Sequence, residues 1–236
     1  MGELDNPVIV DFPLRGEWVA PNTPARKVPS HGTDMLGQRY AYDFFRTDEK
    51  KGMHFFKGST LRYWLTGIPV SSCYCWREDV HAPFDGEVVT ARDGLRERGR
   101  LHPVFDLLYV LKNSVVLNIK ALRAGPGKTD LHFLAGNHVI LKHDNVYAFL
   151  AHLHPNSITV KAGQSVREGD VLGKVGHTGN STAPHLHFQL MDSVDQLLAV
   201  KGVPCAFKTY EACEDGVWKT VWNGIPRYNE KIRYIR

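Results

Sequence analysis

The second half of the chain alternates short apolar runs with turn residues, a pattern that is typical of β-strands. Runs rich in Val, Ile, Leu and aromatic residues are separated by Asp-Asn, Ala-Gly and Glu-Gly-Asp. Helical periodicity is weak throughout, and only residues 193–200 give a poor match to it. The pattern predicts an all-β fold, mostly antiparallel, of the barrel or sandwich type. The predicted strands of this half are 139–143, 147–153, 158–160, 165–166 and 171–175, followed by a Gly-rich loop at 176–184.

The first half is less regular than the second. Five prolines interrupt residues 1–30, which we interpret as an irregular entry segment. Residues 46–78 and 93–134 lack clear periodicity, and we interpret both as insertions. Between these segments lies more regular sequence.

Strands are also predicted outside the regular second half. The aromatic run 40–45 is β-prone, and residues 80–90 read as two strands around a turn at Asp85-Gly86. The tail, 201–236, is expected to add C-terminal strands. We therefore predict that residues 1–236 form a single β domain with loop insertions.

Net charge and the distribution of apolar residues argue against some classes of partner and location. The 29 Lys and Arg against 25 Asp and Glu give a net charge of +4 without a basic block, which argues against nucleic acid as a partner. No stretch approaches the roughly 18 apolar residues of a membrane span. The acidic, polar start lacks a signal pattern. A cytoplasmic protein is therefore expected, or a secreted or cell-envelope form from which a signal was removed.

Two histidines separated by one residue form the sharpest chemical feature. His185 and His187 lie in the strand-like run Pro-His-Leu-His-Phe, and residues i and i+2 of a strand point to the same face. Two adjacent imidazoles can ligate zinc, or one can ligate while the other acts as acid or base. Alone, this spacing also suits two surface histidines. A third histidine, His152, lies at the end of the predicted strand 147–153.

The motifs of residues 136–190 together resemble the metallopeptidase domain of lysostaphin and LytM-type cell-wall endopeptidases, and the segment Ala82–Val89 is similar to the hairpin that precedes it. The resemblance implies the duplicated hybrid motif fold, and thus a zinc-dependent endopeptidase. The matching pieces are Gly136-Asn137, Ala151-His152-Leu153, Val166–Gly176, Thr178–Ser181 and Pro184–Phe188.

The resemblance also implies roles for individual histidines. In that family one zinc is held by a His and an Asp of a first motif and by the second His of the His-x-His pair. Carried over, His187 becomes a zinc ligand, and His152 and His185 become the catalytic acid/base and transition-state pair. Three protein ligands leave a fourth position for water, whose pKa falls to about 7 on zinc. His154 is a weaker candidate than His152, because Pro155 indicates that the strand is ending.

The first metal-binding motif departs from the family's pattern. A histidine usually stands four residues before the aspartate, but that position before Asp43 holds Arg39, which stays protonated and cannot ligate zinc. The nearest upstream histidine is His31, and the intervening loop can close at small entropic cost. We therefore predict His31, Asp43 and His187 as the ligands. Asp34 is the rival carboxylate, although it lacks the β-prone setting of Asp43.

Three functions are compatible with these residues. The first is a zinc endopeptidase that cleaves peptidoglycan cross-links or another glycine-containing peptide, with Zn²⁺ as cofactor and peptide or peptidoglycan as partner. The second is a non-catalytic binding or regulatory module on the same fold, which the altered first motif favours and the retained histidines oppose. The third is a phosphocarrier that uses a histidine, which the His-x-His pair alone leaves open. His177 is expected to be exposed, and His54, His81, His102, His132, His138 and His143 are interpreted as lacking a catalytic role.

Overall fold

The computed structural model describes residues 4, 6–48, 54–124, 132–195 and 200–235. Its strands are β1 (Val8–Val10), β2 (Glu17–Asn22), β3 (Tyr42–Phe45), β4 (Ile68–Pro69), β5 (Asp79–His81), β6 (Gly86–Arg92), β7 (Arg100–Leu101), β8 (Asn137–His143), β9 (Val146–Leu153), β10 (Ser165–Val166), β11 (Val171–Lys174), β12 (Leu186–Met191), β13 (Gly202–Val203), β14 (Cys205–Glu214), β15 (Val217–Gly224) and β16 (Lys231–Tyr234). Its α-helices are α1 (Thr60–Thr66), α2 (Pro103–Ala124) and α3 (His132–Ala135). Short 3₁₀ segments cover Met35–Tyr40 and Val70–Ser72.

One large sheet dominates the molecule. Its strand order is β1-β14-β16-β2-β3-β12-β9-β8-β6-β10, with β13 beside β12 and β15 beside β14. The pair β1–β14 is parallel and the other pairs are antiparallel. The predicted, mostly antiparallel β class is confirmed. Within the described residues the sheet stays open, so a closed barrel does not form.

Strand β12 lies near the centre of this sheet and is buried along its whole length. Leu186, Phe188 and Leu190 point into the main apolar core, whereas His187 and Gln189 point to the opposite face and line a cleft. The period of two in a strand produces this division. The core on the first face contains a cluster of aromatic rings in edge, stacked or tilted contact, namely Phe12, Tyr42, Phe44, Phe188 and Phe207.

One segment predicted to be irregular and one segment predicted to be a strand were predicted wrongly. Residues 1–30 contain β1 and β2. Pro21 is tolerated in β2 because the pairing with β3 shifts between Val19 and Asn22, and a proline at such an irregularity removes no ladder hydrogen bond. Residues 158–160, predicted as a strand, form none, although Thr159 N donates to Leu172 O at 3.0 Å.

The helices are the largest departure from the predicted all-β pattern. Residues 93–134 contain α2 and α3, and residues 46–78 contain α1. Helix α2 carries apolar side chains around most of its circumference, so it lacks the single stripe by which an amphipathic helix is recognised. None of the described helices is long and apolar enough to cross a membrane. The weak helix candidate at 193–200 is irregular at 193–195, and its residues 196–199 lie outside the described residues.

Candidate metal and catalytic centre

Asp43 and His187 face each other across two paired strands. The antiparallel register of β3 and β12 places them directly opposite, and such cross-strand partners share one face of the sheet. His187 Nδ1 lies 3.0 Å from Asp43 Oδ1. Both residues are buried. The local strand pairing therefore brings together two residues that are separated by 144 positions in sequence.

His31 reaches the same carboxylate because the chain doubles back before β3. Ser30 N donates to Arg39 O at 2.9 Å, and Ser30 Oγ donates to Gln38 O at 3.2 Å. These two hydrogen bonds close residues 31–38 into a loop. The chain thus returns to the strand with His31 beside Asp43, and His31 Nε2 lies 3.0 Å from Asp43 Oδ2.

Asp34 and Arg39 are directed away from this carboxylate. Arg39 Nη1 donates to Asp34 Oδ1 at 2.5 Å, and the Asp34 side chain is 65% exposed. Asp34 therefore lies outside the group formed by His31, Asp43 and His187, whose candidate donor atoms all lie within 4.8 Å of one another.

His31 and His187 each have one ring nitrogen that faces Asp43, the inner nitrogen, and one that faces away from it, the outer nitrogen. Both outer nitrogens have acceptors in the protein. Gln189 Oε1 accepts from His187 Nε2 at 2.9 Å, while the amide nitrogen of Gln189 donates to Leu36 O at 2.7 Å and so fixes the amide orientation. The Ser30 hydroxyl donates its proton to Gln38 O, so it accepts from His31 Nδ1 at 3.1 Å. Such partners set the tautomer of metal-binding histidines.

The inner nitrogens, His31 Nε2 and His187 Nδ1, both approach the Asp43 carboxylate. In these tautomers neither inner nitrogen carries a proton. With His31 protonated at Nδ1 and His187 at Nε2, two lone pairs and the Asp43 carboxylate converge. Lone pairs and an anion repel unless a proton or a cation lies between them. Asn22 Nδ2 donates to Asp43 Oδ2 at 2.7 Å and supports the ionised form. The N,N,O donor set fits a zinc ion.

The electrostatics of Asp43 agree with a ligand role. Burial acts to raise its pKa, but the neighbouring imidazoles of His31, His185 and His187 hold the pKa well below its usual range. A carboxylate must be ionised to bind a metal. Asp43 therefore carries the negative charge that such a site needs.

His152 reaches the cleft through a local distortion of β9. Leu150 points into the core and Ala151 into the cleft, so strict alternation would return His152 to the core. Instead His152 has φ +63°, in the left-handed region, beside a register shift between β8 and β9. A bulge of this kind re-aims one side chain, at an energetic cost that is common at functional sites. His152 Nδ1 then donates to Thr178 O at 2.9 Å.

His152 and His185 have opposite electrostatic environments. Burial lowers the pKa of His152 well below its usual value, and the neighbouring His185 and His187 lower it further. Burial also acts to lower the pKa of His185, but the Asp43 carboxylate raises it above its usual value. The two rings lie 4.8 Å apart. Pairs whose pKa values diverge in this way suit complementary acid and base roles.

His185 is held from several sides. Its ring stacks on Phe45 with centroids 5.0 Å apart, and its Nδ1 donates to Ala183 O at 2.7 Å. Ser181 Oγ lies 3.2 Å from the same nitrogen. With Nδ1 engaged, Nε2 faces the cleft, 3.4 Å from Asp43 Oδ1. The orientation of His185 therefore depends on the Gly-rich loop that precedes it.

Arg98, in the inserted region, supports that loop from beneath. It donates to Ser181 O at 2.5 Å, to Gly179 O at 3.3 Å and to His177 Nε2 at 2.9 Å. The expectation that His177 is exposed was wrong, because its side chain is fully buried and its Nδ1 bonds Ser181 Oγ at 3.0 Å. Arg98 Nε donates in turn to Asp106 Oδ1 at 3.0 Å, at the start of α2.

The loop also packs tightly on the strand that precedes β9. Gly136 and Gly179 both have positive φ, and a Cβ on Gly179 would clash with the backbone nitrogen of Gly136. Asn137 N donates to Thr178 Oγ1 at 2.9 Å. These contacts explain why Gly136-Asn137 and Thr178-Gly179 accompany the histidines in sequence. Glycine is required where backbones approach this closely.

The five predicted site residues, His31, Asp43, His152, His185 and His187, all line one cleft of about 810 Å³. Its floor is formed by β3, β9 and β12. Helix α2 forms a roof with Val110, Ser114 and Leu117. His132 and His138, for which no role was predicted, also line this cavity, and His138 Nδ1 donates to Gly136 O at 2.7 Å.

Several supporting residues were missed by the sequence analysis. Gln189 could have been found, since it follows His187 by two positions on the same strand face. Asn22 could not, because its contact with Asp43 depends on the pairing of β2 with β3. Arg98 and Asp106 lie in a segment that was predicted to be irregular.

Comparison with known proteins agrees with the geometry of the cleft. Residues 114–198 match the sequence profile described as "Peptidase family M23". This match includes His152, His185 and His187, and it excludes His31 and Asp43. Residues 114–198 of this chain are therefore similar in sequence to the M23 peptidase family.

Individual relatives show the same region of likeness. The chain is 45% identical over 60 residues to peptidoglycan DD-endopeptidase ShyA of Vibrio cholerae, covering 25% of this chain and 14% of that protein. It is 50% identical over 40 residues to glycyl-glycine endopeptidase ALE-1 of Staphylococcus capitis, covering 17% and 11%. The match thus spans about one seventh or less of the length of these relatives.

One solved structure found to be similar to the chain is a mutant catalytic domain of the prophage-encoded M23 protein EnpA from Enterococcus faecalis. It overlaps 79% of this chain and 88% of its own, with 18% identity and a TM-score of 0.39. A likeness at this level carries no argument about activity. The site described above rests on its own contacts.

Proposed function

We propose that this protein is a zinc-dependent endopeptidase, with His31, Asp43 and His187 as the metal ligands and His152 and His185 as the catalytic pair. One observation carries the proposal. One ring nitrogen of the partly buried His31 and one of the buried His187 point at the buried carboxylate of Asp43, while their other ring nitrogens are engaged by Ser30 and Gln189.

The ligand set determines what the bound metal would contribute. A zinc ion held by three protein groups supplies Lewis acidity at an open position. His31 and His187 offer neutral imidazole nitrogens, and Asp43 offers an anionic oxygen. Asn22 keeps the carboxylate of Asp43 in place through its 2.7 Å hydrogen bond.

The catalytic pair divides the proton transfers of peptide hydrolysis. Water adds to the peptide carbonyl carbon, the C–N bond breaks, and the amine leaves with a proton. His152 is the base in this scheme, because its depressed pKa keeps the ring neutral and able to accept the proton of the attacking water. His185 keeps its proton near Asp43, so it can donate a hydrogen bond to the developing oxyanion.

The substrate class follows from the cleft and from the names of the relatives. We infer a peptide substrate, with peptidoglycan cross-links or another glycine-containing peptide as the specific target. The names peptidoglycan DD-endopeptidase and glycyl-glycine endopeptidase support this class.

The test is hydrolysis by the zinc-loaded chain. Purified peptidoglycan and a pentaglycine peptide are incubated with the wild type and with His185→Ala, and the products are identified by mass spectrometry. The wild type is expected to release new amino termini from at least one substrate, and the variant to release far fewer. Equal release by both proteins would contradict the catalytic assignment.

The competing function is a non-catalytic module on the same fold. Arg39 favours it, because that position before Asp43 usually supplies a ligand histidine. The fold of residues 30–39 opposes it, since it brings His31 to Asp43. A protein that binds zinc and peptidoglycan yet cleaves neither substrate would support the module instead.

A further inference from the structure

The outward face of α2 is apolar and exposed. Leu108, Leu111 and Val115 recur at intervals of three and four residues, so they form one stripe on the helix. Each is more than half exposed. A stripe of this spacing usually packs against a core. Here it points away from the cleft.

The inward face of the same helix is more polar than the outward face. Asp106 and Asn113 are buried, and Ser114 lines the cleft between Val110 and Leu117. Soluble proteins normally show the reverse distribution, with apolar residues inward and polar residues outward. The inversion indicates that the outward face has a partner.

Helix α1 extends this surface. It packs beside α2 and exposes Leu61, Trp64 and Leu65, each by more than half. We call the combined surface the roof patch, defined by Leu61, Trp64, Leu65, Leu108, Leu111 and Val115. Apolar patches that join several large residues mark sites of interaction with proteins or membranes.

The charges around the roof patch are of one sign. Arg62 of α1 and Lys112 of α2 are exposed within it. The described side chains of the two helices include one acidic residue, Asp106, which is buried and paired with Arg98. The patch therefore combines apolar and aromatic residues with positive charge, and it offers no exposed carboxylate.

We propose that the roof patch docks on the surface of an anionic lipid bilayer. Leu, Trp and Phe on one helical face with Lys or Arg beside them are typical of helices that lie in the membrane interface, and tryptophan favours the same depth. A second copy of the chain is a poorer occupant, because symmetric pairing would bring the positive groups of the two patches together. The described helices do not span a bilayer, so the contact is with its surface.

Docking would orient the molecule. The inward face of α2 is the roof of the cleft and the outward face would lie on lipid, so the cleft would open beside the membrane. This inference does not depend on the proposed peptidase activity, because it uses only the exposed face and its charges.

The experiment is vesicle co-sedimentation of the full chain. Vesicles of phosphatidylcholine with about 30% phosphatidylglycerol are compared with phosphatidylcholine alone, at low and high salt. We expect the wild type to bind the anionic vesicles, and high salt to weaken the binding because screening reduces surface attraction. Replacing both Leu108 and Leu111 by Ser should reduce binding at least tenfold, since affinity scales with buried apolar area.

Two further variants make the result specific. Lys112→Glu should lower binding to anionic vesicles and leave the fold intact. Trp222→Ser is the matched control, because Trp222 is a large residue, 70% exposed, on β15 and outside the patch; its binding should equal that of the wild type. Circular dichroism of each variant checks folding.

Three outcomes would overturn the proposal. The first is a folded wild type that binds neither vesicle, and the second is a Leu108/Leu111 double variant that binds as well as the wild type. The third is a wild type that is dimeric at micromolar concentration while the double variant is monomeric, which would assign the patch to a second copy. A wild type that binds anionic vesicles but hydrolyses no peptide would contradict the proposed function and leave the membrane proposal standing.

Discussion

The floor and the roof of the cleft are built on opposite principles. The floor, formed by β3, β9 and β12, holds buried histidines and a carboxylate whose polar atoms have hydrogen-bond partners. The roof, formed by α2, exposes apolar residues and buries polar ones. The floor is adapted to fix a few atoms in place, whereas the roof is adapted to meet another surface.

One connection between the two regions consists of the hydrogen bonds of Arg98. Asp106 near the start of α2 bonds Arg98, and Arg98 bonds the loop that delivers His185. A change at this connection should therefore affect both the stability of the roof and the placement of His185, one of the two proposed catalytic residues. Changes elsewhere should affect one region only.

Removing the carboxylate of the floor should have the largest effect. Asp43→Ala takes away an anionic ligand and leaves His31 and His187 without the group that both contact. We expect peptide hydrolysis to fall by at least about 10³-fold and bound zinc to be lost. Asp34→Ala is the matched control and should retain both activity and metal. A fully active Asp43→Ala protein would contradict the proposed role of Asp43 as a metal ligand.

Removing one catalytic histidine should separate chemistry from metal binding. His185→Ala is expected to lower kcat by about 10²–10⁴-fold while zinc content stays near that of the wild type. The same change at His54, which lies outside the cleft and bonds Thr60 Oγ1, should leave kcat unchanged. Loss of zinc from His185→Ala would make His185 a ligand, contrary to the proposed division of roles.

Breaking the connection should have an intermediate effect. Arg98→Met leaves Asp106 without its ion pair and frees the carbonyls of Gly179 and Ser181. We expect the free energy of unfolding to fall by about 2–3 kcal/mol and kcat to fall more than KM changes. Arg96→Met, at an exposed neighbour in sequence, provides the comparison. Equal stability and kcat in the two variants would show that the connection is unimportant.

The pH dependence of Asp106 should give the smallest effect. Burial acts to raise its pKa, but the neighbouring His177 ring, a hydrogen bond from His102 N and the charge of Arg98 lower the pKa below its ordinary 3.8. A lowered pKa in the folded state contributes stability above pH 3.8 that is lost as pH falls through the folded value. Asp106→Asn should therefore be less stable than the wild type by about 1–2 kcal/mol near neutral pH.

Denaturant unfolding at several pH values measures this difference. The gap between wild type and Asp106→Asn should shrink steadily below pH 3.8. A gap that stays constant down to pH 2.5, or one that grows, would contradict the role of the ionised carboxylate.

The floor was more predictable from sequence than the roof, for a physical reason. Because His185 and His187 are two residues apart, a strand places both side chains on one face. The strand β9 was also predicted from sequence, with His152 near its end. The proximity of His31 to Asp43 was anticipated from a loop that can close. Its means of closure, the pairing of Ser30 with Arg39, depends on tertiary contacts that a linear pattern does not contain.

The roof was missed because its pattern does not follow the usual rule. A periodicity search finds a helix by contrast between an apolar and a polar face, and α2 has little contrast because both faces carry apolar residues. The same feature that hid the helix in sequence, its exposed leucines, is the basis for the proposed membrane contact. The burial of His177 was missed for a different reason, since Arg98 comes from the inserted region.

The central claim is that His31 replaces the usual ligand histidine of the first motif, and metal analysis of His31→Ala tests it most directly. The chain is purified without chelator, and zinc is measured by mass spectrometry before and after dialysis against a fixed chelator concentration. We expect about one zinc per chain in the wild type, retained by His54→Ala and lost from His31→Ala. A folded His31→Ala protein that keeps zinc as tightly as the wild type, or a wild type that binds no divalent metal, would contradict it.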